Sequence, residues 1–115
     1  MATLRTPESE EKYQAYLKTE AHLQSCSLCD KESLHTFAFW KIVENSFPYD
    51  KIAETHHLIV SLRHASGKEL NAEERGELDT IKEDFINPRY EWIVEPAHVN
   101  KSIPSHAHLH LIIGK

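Results

Sequence analysis

The C-terminal stretch SHAHLHLIIGK, residues 105–115, places a histidine at every second position, at His106, His108 and His110. Side chains that alternate along a β-strand point to the same face of the sheet. The pattern therefore predicts a strand with three imidazoles on one face and the interleaved apolar residues packed on the other. Such a strand packs its aliphatic face into the core. The imidazoles are then expected on the opposite face of the same strand.

The choice of histidine for this face points to chemistry. Imidazole is the side chain that serves as nucleophile, general acid and general base near neutral pH, and it is also the commonest metal ligand. The strand rise spaces neighbouring rings about 6–7 Å apart. Three imidazoles this close on one face indicate a functional site rather than residues that only fill the core. The alternative is a solvent-facing polar edge that happens to use histidine, and it leaves the strict alternation with apolar residues unexplained.

The composition disfavours whole classes of protein. The 115 residues carry 13 Lys and Arg against 18 Asp and Glu, a formal charge of -5. A nucleic-acid surface needs clustered positive charge, so nucleic acid is not an expected partner, whereas a single nucleotide in a local pocket is compatible with this balance. No stretch approaches the roughly 20 apolar residues of a membrane span, and residues 1–14 resemble no signal sequence. We expect a cytoplasmic protein without a membrane partner, folded as one domain over residues 1–115.

Helical and strand patterns follow one another along the chain. Thr6 and Pro7 resemble a helix start, and Asn71 with Glu74 resembles a capping box that begins a helix within residues 69–86. Stretches rich in aromatic and β-branched residues predict four strands, LHTFAFWKIVEN (34–45), HHLIVSL (56–62), RYEWIVEP (89–96) and SHAHLHLII (105–113). The expected fold is α+β, with a mainly antiparallel sheet, an N-terminal helix and one longer helix between strands.

The two cysteines, Cys26 and Cys29, have the Cys-x-x-Cys spacing that can share one tetrahedral Zn²⁺ with two further ligands. A redox pair is a second interpretation, but such a pair is expected to begin a helix after a strand, whereas this one follows a predicted helix. Free thiols without a ligand are the third interpretation. The spacing favours zinc.

The C-terminal motif HAHLHLI resembles the His-φ-His-φ-His-φ-φ signature of the histidine triad (HIT) superfamily of nucleotide hydrolases and transferases, where φ is an apolar residue. Four further segments are similar to family segments and occur in the same order: CSLC (26–29), ENSFPYD (44–50), HHLIVSLRH (56–64) and LNAEERGEL (70–78). The resemblance covers most of the chain, from about Cys26 onward. It implies a HIT-like fold.

The resemblance also implies an activity, namely attack on the α-phosphate of a nucleoside phosphoramidate, a dinucleoside polyphosphate or a related nucleotide ester. The implied nucleophile is His108, which forms a covalent nucleotidyl-histidine intermediate. The backbone carbonyl of His110 would hold the far nitrogen of His108, and the His110 side chain would reach toward His56 or the phosphate oxygens. The implied catalytic set is completed by His106 and Ser102.

The substrate implied by the resemblance is a purine nucleotide or nucleotide ester. Asn45 stands where the family binds ribose hydroxyls, and four apolar residues are candidates to flank the base or to lie in the core: Phe37, Phe39, Ile42 and Phe47. Near the phosphates, Lys101 could supply charge and Ser102 or Ser105 a hydroxyl. The segment NKSIPSHAH (100–108) lacks the Gly-Gln of many members, and Pro104 removes an amide donor.

In the zinc-containing branch of the family, the two remaining metal ligands correspond to His64 and His106. The implied structural zinc site is therefore Cys26, Cys29, His64 and His106, closed by four protein ligands. Family members usually form two-fold dimers, so a homodimer is expected. Two alternatives to an enzyme remain open: a nucleotide-binding module without catalysis, and a zinc-stabilised interaction module.

Overall fold

The fold is built around a β-sheet, described here from a computed structural model over residues 4–19, 26–97 and 105–115. The strands of the described residues are β1 His35–Thr36, β2 Trp40–Glu44, β3 Ala53–Ser61, β4 Trp92–Val94 and β5 His108–Gly114. They lie in the order β1-β2-β3-β5-β4, and each neighbouring pair is antiparallel. The predicted α+β class with an antiparallel sheet is confirmed.

The helices of the described residues are α1 Pro7–Leu17, the short α2 Ser27–Asp30, a 3₁₀ turn Gly67–Glu69, and α3 Ala72–Ile81, which continues into a π-helical turn Lys82–Ile86. The predicted N-terminal helix is present, with Thr6 as its N-cap and Pro7 in its first turn. Among the described helices, none has the length and apolar character needed to cross a membrane.

The start of α3 follows the predicted capping box. The Asn71 side chain accepts a hydrogen bond from the backbone N–H of Glu74 at 2.8 Å, and the Glu74 carboxylate accepts one from the N–H of Asn71 at 2.9 Å. Helix α3 therefore begins at Ala72, as the capping box predicts, and Asn71 has the extended backbone angles of an N-cap, φ −86° and ψ 175°. Residues before it form the separate 3₁₀ turn rather than extending α3.

The main core lies between the sheet and α3. Its buried side chains come from β2, β3, β5 and the helix: Trp40, Ile42, Ile59, Ile81, Ile86, Leu109 and Leu111. Ile42 pairs with Ile59 across β2 and β3, and Ile59 pairs with Leu109 across β3 and β5. The apolar residues interleaved between the histidines therefore pack on this face, as the alternation predicts.

A second, smaller cluster covers the opposite face of the sheet and consists of Leu28, Val43, Leu58 and Val60. On β5, His108 pairs with Val60 and His110 pairs with Leu58. Since paired residues of antiparallel strands point to the same face, both histidines lie on this second face, away from α3. The predicted strand over residues 105–113 included all three histidines, but β5 begins at His108. His106 therefore precedes the strand.

The predicted strand over residues 34–45 is divided into β1 and β2. The break occurs where the backbone N–H groups of Ala38 and Phe39 donate to the Glu77 carboxylate at 3.1 and 2.7 Å instead of to a neighbouring strand. The N–H of Phe37 then bonds the carbonyl of Trp40 and closes the turn. The propensity for a strand was correct, but Glu77 of α3 competes for its hydrogen bonds.

Candidate functional site

The start of β5 brings together two groups of side chains on the face of the sheet opposite α3. One group contains both cysteines and two histidines, and it joins α2 to the ends of β3 and β5. The other contains His108, His110 and His56 of β3. Because His106 and His108 are two residues apart, the two groups are neighbours.

The first group consists of Cys26, Cys29, His64 and His106, whose ligand atoms all lie within 4.8 Å of one another. Sγ of Cys29 is 3.1 Å from Nδ1 of His64, and Sγ of Cys26 is 3.3 Å from Nδ1 of His106. Around a tetrahedral ion with bonds of about 2.3 Å to sulfur and 2.0 Å to nitrogen, these two ligand types are about 3.5 Å apart. The predicted four residues therefore lie close together and could hold a metal ion.

The ring of His106 is already oriented for this group. Its Nε2–H donates to the backbone carbonyl of Ser61 at 2.7 Å, which leaves the Nδ1 lone pair directed at the sulfurs. Metal-binding histidines commonly use their second nitrogen in this way, because the outer hydrogen bond fixes tautomer and ring orientation. With 1 % of its surface exposed, His106 has no room to adopt another arrangement.

The thiol of Cys29 does not resemble a reactive redox thiol. Desolvation raises its pKa, and the hydrogen bond and charge of the neighbouring Cys26 raise it further. Redox-active cysteines instead have a lowered pKa, because the thiolate is the reacting form. Two sulfurs at this spacing become stable as thiolates when a cation lies between them, so the pair is compatible with a metal site.

His108 is held by a backbone carbonyl that the sequence analysis did not predict. Its Nδ1 lies 2.8 Å from the carbonyl oxygen of His106, not that of His110. A carbonyl only accepts, so Nδ1 carries the proton and the lone pair of the neutral ring is on Nε2. The prediction of a tautomer-fixing carbonyl was right in kind and wrong in position: His110 lies inside a strand paired on both sides, whereas His106 precedes the strand.

His110 and His56 form a directly bonded pair. Nε2 of His56 is 2.7 Å from Nδ1 of His110, and the two rings are 4 % and 5 % exposed. Burial lowers the pKa of His56 to about 4, helped by the charge of Arg5. Burial likewise lowers the pKa of His110 to about 3, with smaller effects from His56 and His108. Both rings are therefore neutral at pH 7.

Acid is expected to destabilise the protein through this pair. Both folded-state pKa values lie below the ordinary value of 6.5, so the unfolded chain binds more protons as the pH falls below 6.5. Stability is full above about pH 6.5 and is lost toward pH 4. Between pH 7.5 and pH 5, each histidine is expected to remove about 2 kcal/mol of unfolding free energy.

The measurement is urea unfolding at pH 7.5 and pH 5 for the wild type and for His56→Gln. Effects of pH on the metal ligands are common to both proteins and cancel in the comparison. The variant is expected to lose about 2 kcal/mol of the pH dependence. The same pH dependence in both proteins would contradict the assignment to this pair.

Two residues that the sequence analysis did not select lie against this pair. The ring of Tyr49 stacks on His110 with centroids 4.9 Å apart and planes inclined by 22°. The Arg5 guanidinium carbon lies 4.9 Å from the centroid of the Tyr49 ring, and its Nε donates to the Phe47 carbonyl at 2.9 Å. Tyr49 belongs to the quoted segment ENSFPYD, so a signal existed. Nothing in the sequence indicated Arg5, because it approaches from the distant N-terminal segment.

Asn45 and Phe47 lie in the loop that leads to β3. The Asn45 side-chain oxygen accepts from the backbone N–H of Phe47 at 2.9 Å, which shapes the turn after β2. The Phe47 ring contacts Tyr13 and Tyr16 of α1, with centroids 5.4 and 4.8 Å away. Contacts of Asn45 with a ribose and of Phe47 with a base remain predictions.

The other three apolar candidates for flanking a base are core residues. Ile42 is 1 % exposed in the main core, and Phe37 and Phe39 pack against that core. The core lies on the α3 side of the sheet, whereas His108 and His110 point to the opposite side. For these three residues the structure therefore supports the core alternative.

The residues expected near the phosphates are only partly described. Lys101 and Ser102 lie outside the described residues, so their predicted roles are untested. Ser105 is exposed and stands one residue before the buried His106. Ser105 is the first residue of the described segment 105–115, and its predicted contact with phosphate remains a prediction.

Comparison with known proteins finds no matching family model and no matching curated protein. The chemistry of the site therefore has to be inferred from its own residues.

Proposed function

We propose that the protein is a nucleotide hydrolase or nucleotidyltransferase of the histidine triad type, with a HIT-like fold and His108 as the nucleophile. The observation that carries the proposal is the hydrogen bond from Nδ1 of His108 to the His106 carbonyl at 2.8 Å. In the neutral imidazole, a tautomer fixed in this way puts the lone pair on Nε2, the nitrogen that attacks phosphorus in the proposed reaction.

The proposed reaction has two displacements at the α-phosphorus of a nucleoside phosphoramidate, dinucleoside polyphosphate or related ester. Nε2 of His108 forms a bond to phosphorus while the bond to the leaving amine or phosphate breaks, its electron pair going to the leaving group, which takes up a proton. Water or another acceptor then attacks phosphorus and loses a proton. The P–N bond breaks with its electrons returning to Nε2, which releases the nucleotide product.

The hydrogen bond from Nδ1 of His108 to the His106 carbonyl would also stabilise the transition state. When Nε2 bonds to phosphorus, the imidazole becomes positively charged, and the Nδ1–H bond to the His106 carbonyl strengthens. The interaction is thus stronger in the transition state than in the free enzyme, as catalysis requires. His110 and His56 lie beside His108, the rings of His108 and His110 having centroids 5.4 Å apart. We propose that His110 contacts a phosphoryl oxygen and that His56, which is bonded to Nδ1 of His110, holds that ring in place.

For the metal site we propose Zn²⁺ held by Cys26, Cys29, His64 and His106. Two sulfurs and two imidazole nitrogens in a closed set are typical of a structural zinc site, which has no open position for water. The zinc would join α2 to the ends of β3 and β5. Because His106 also supplies the carbonyl that holds His108, the metal would stabilise the nucleophile's position without taking part in the reaction.

A nucleotide-binding module without catalysis is the second candidate. The sequence NKSIPSHAH (100–108) lacks the Gly-Gln found in many histidine triad proteins, which would remove phosphate contacts and leave the pocket. The two candidates differ in whether a covalent intermediate forms.

The experiment is intact-mass spectrometry of the protein mixed with adenosine 5′-phosphoramidate and then denatured at alkaline pH, which preserves a P–N bond, alongside thermal unfolding with AMP. We expect an added adenylyl mass or steady release of AMP, together with stabilisation by AMP. Stabilisation with neither adduct nor product would favour the binding module. No stabilisation and no product would contradict the nucleotide assignment, leaving the zinc-stabilised interaction module.

A further inference from the structure

Proton positions in the His56–His110 pair can be derived from a neighbouring group that has only one hydrogen-bonding role. The backbone N–H of Tyr49 donates to Nδ1 of His56 at 2.9 Å. An amide N–H cannot accept, so Nδ1 of His56 must carry the lone pair. In the neutral ring the proton is then on Nε2.

The same reasoning passes to the second ring. Nε2–H of His56 faces Nδ1 of His110 at 2.7 Å, so Nδ1 of His110 must accept and its own proton is on Nε2. The Asn45 side chain does not disturb this order. Its nitrogen lies 3.2 Å from Nε2 and 3.5 Å from Nδ1 of His56, farther than the 2.9 Å bond from Tyr49 and the 2.7 Å bond to His110, so the two shorter bonds set the proton order.

Tyr49 is itself held from two sides. Its ring stacks on His110, with the hydroxyl 3.4 Å from Nε2 of that ring. On the outer side lies Arg5, whose guanidinium also covers Tyr13 of α1, 4.0 Å from that ring's centroid. The next residue, Asp50, accepts from the backbone N–H of Thr6 at 2.8 Å at the start of α1. The N-terminal segment thus fixes the loop that carries the Tyr49 amide.

We propose that Tyr49 is a positioning residue whose backbone N–H sets the proton order of both histidines, so that His110 presents Nε2–H to the site, while its ring holds His110 in place. The order Tyr49 N–H to His56 to His110 stands on geometry alone. Its consequence rests on the proposed function: His110 is then a neutral donor aimed at a phosphoryl oxygen next to His108, which must keep its own lone pair for attack.

The direct test is a two-bond ¹H–¹⁵N correlation spectrum of the imidazoles of the wild-type protein at pH 7.5, which separates protonated from unprotonated ring nitrogens. His56→Asn and His110→Asn each remove one set of signals and assign the rings. We expect both rings to be protonated at Nε2 only. A proton on Nδ1 of either ring, or on both nitrogens of one ring, would overturn the proposal. The spectrum requires no substrate, so this outcome is independent of the nucleotide function.

A matched pair of variants separates the amide from the ring. Tyr49→Ala keeps the backbone N–H and removes the ring, whereas Tyr49→Pro removes both. We expect Tyr49→Ala to retain the Nε2–H pattern of His56 and Tyr49→Pro to show a mixture of tautomers. Turnover of adenosine 5′-phosphoramidate should then fall about tenfold further in Tyr49→Pro, in kcat rather than KM.

An unchanged His56 pattern in folded Tyr49→Pro would overturn the role of the amide. If Tyr49→Pro does not fold, the wild-type spectrum decides the proton order, and Tyr49→Phe tests the ring. Tyr49→Phe keeps both the stacking and the amide, so it should restore the kcat that Tyr49→Ala loses. Equal losses of kcat in the two variants would contradict the stacking role.

Discussion

Replacing His108 with alanine is expected to abolish the adenylyl adduct and to lower turnover of adenosine 5′-phosphoramidate by at least about 10⁴-fold. The reason is that the proposed reaction has no other route: without Nε2 of His108, no bond to phosphorus forms and the two-step path is lost. The measurement is the intact mass after denaturation at alkaline pH, together with steady-state release of AMP. His35→Ala is the matched control, since it removes an exposed imidazole that contacts the rings of Phe37 and Phe85, away from the site.

The loss must come from chemistry rather than unfolding. His108→Ala removes one hydrogen bond and part of a buried ring, which should change the unfolding free energy by only about 1–2 kcal/mol. His110→Ala provides a second comparison, because it removes a proposed phosphate contact and keeps the nucleophile. We expect it to retain the adduct with turnover lowered about 10²-fold. An adduct that survives in His108→Ala would show that a different side chain is the nucleophile.

The alternation with apolar residues predicted correctly that His108 and His110 share one face of the sheet and that Leu109 and Leu111 pack on the other. A strand has a period of two, so the hydrophobic pattern leaves no freedom in orientation. The capping box at Asn71 and Glu74 was predictable for a similar reason, since both partners are three residues apart. Both features depend on residues a few positions apart, so the sequence alone is enough to predict them.

Features that depend on distant residues could not be predicted in the same way. The sequence does not show that Glu77 interrupts the strand after Phe37, or that Arg5 reaches the loop beside His110, because these contacts join segments far apart in the chain. Phe37, Phe39 and Ile42 were considered as base contacts because aromatic and β-branched residues suit both a pocket and a core. The register of β2 against β3 places Ile42 in the core beside α3, and Phe37 and Phe39 pack against the same core.

Removing the metal is expected to lower the unfolding free energy by several kcal/mol and to bring down catalysis with it. Of the four proposed ligands, the two cysteines lie at α2, His64 follows β3, and His106 precedes β5. One ion would therefore join three separate parts of the fold. An ion that binds only the folded state stabilises it by about 4 kcal/mol when its free concentration is about 1,000 times Kd. Loss of the ion would also free the His106 backbone, whose carbonyl holds Nδ1 of His108.

The test compares the wild-type protein, the same protein after treatment with a strong chelator, and Cys26→Ser/Cys29→Ser, by elemental analysis, urea unfolding and adduct formation. We expect one zinc per chain in the wild type and none in the double variant, which should match the chelated protein in stability and not respond to chelator. Adduct formation should fall in both and return when zinc is restored to the wild type alone. Wild-type protein that contains no zinc and keeps its stability in chelator would mean that the cysteines are thiols without a ligand. In that case the position of His108 would depend on the hydrogen bond from His106 to Ser61 rather than on a metal, because that bond also fixes the His106 ring.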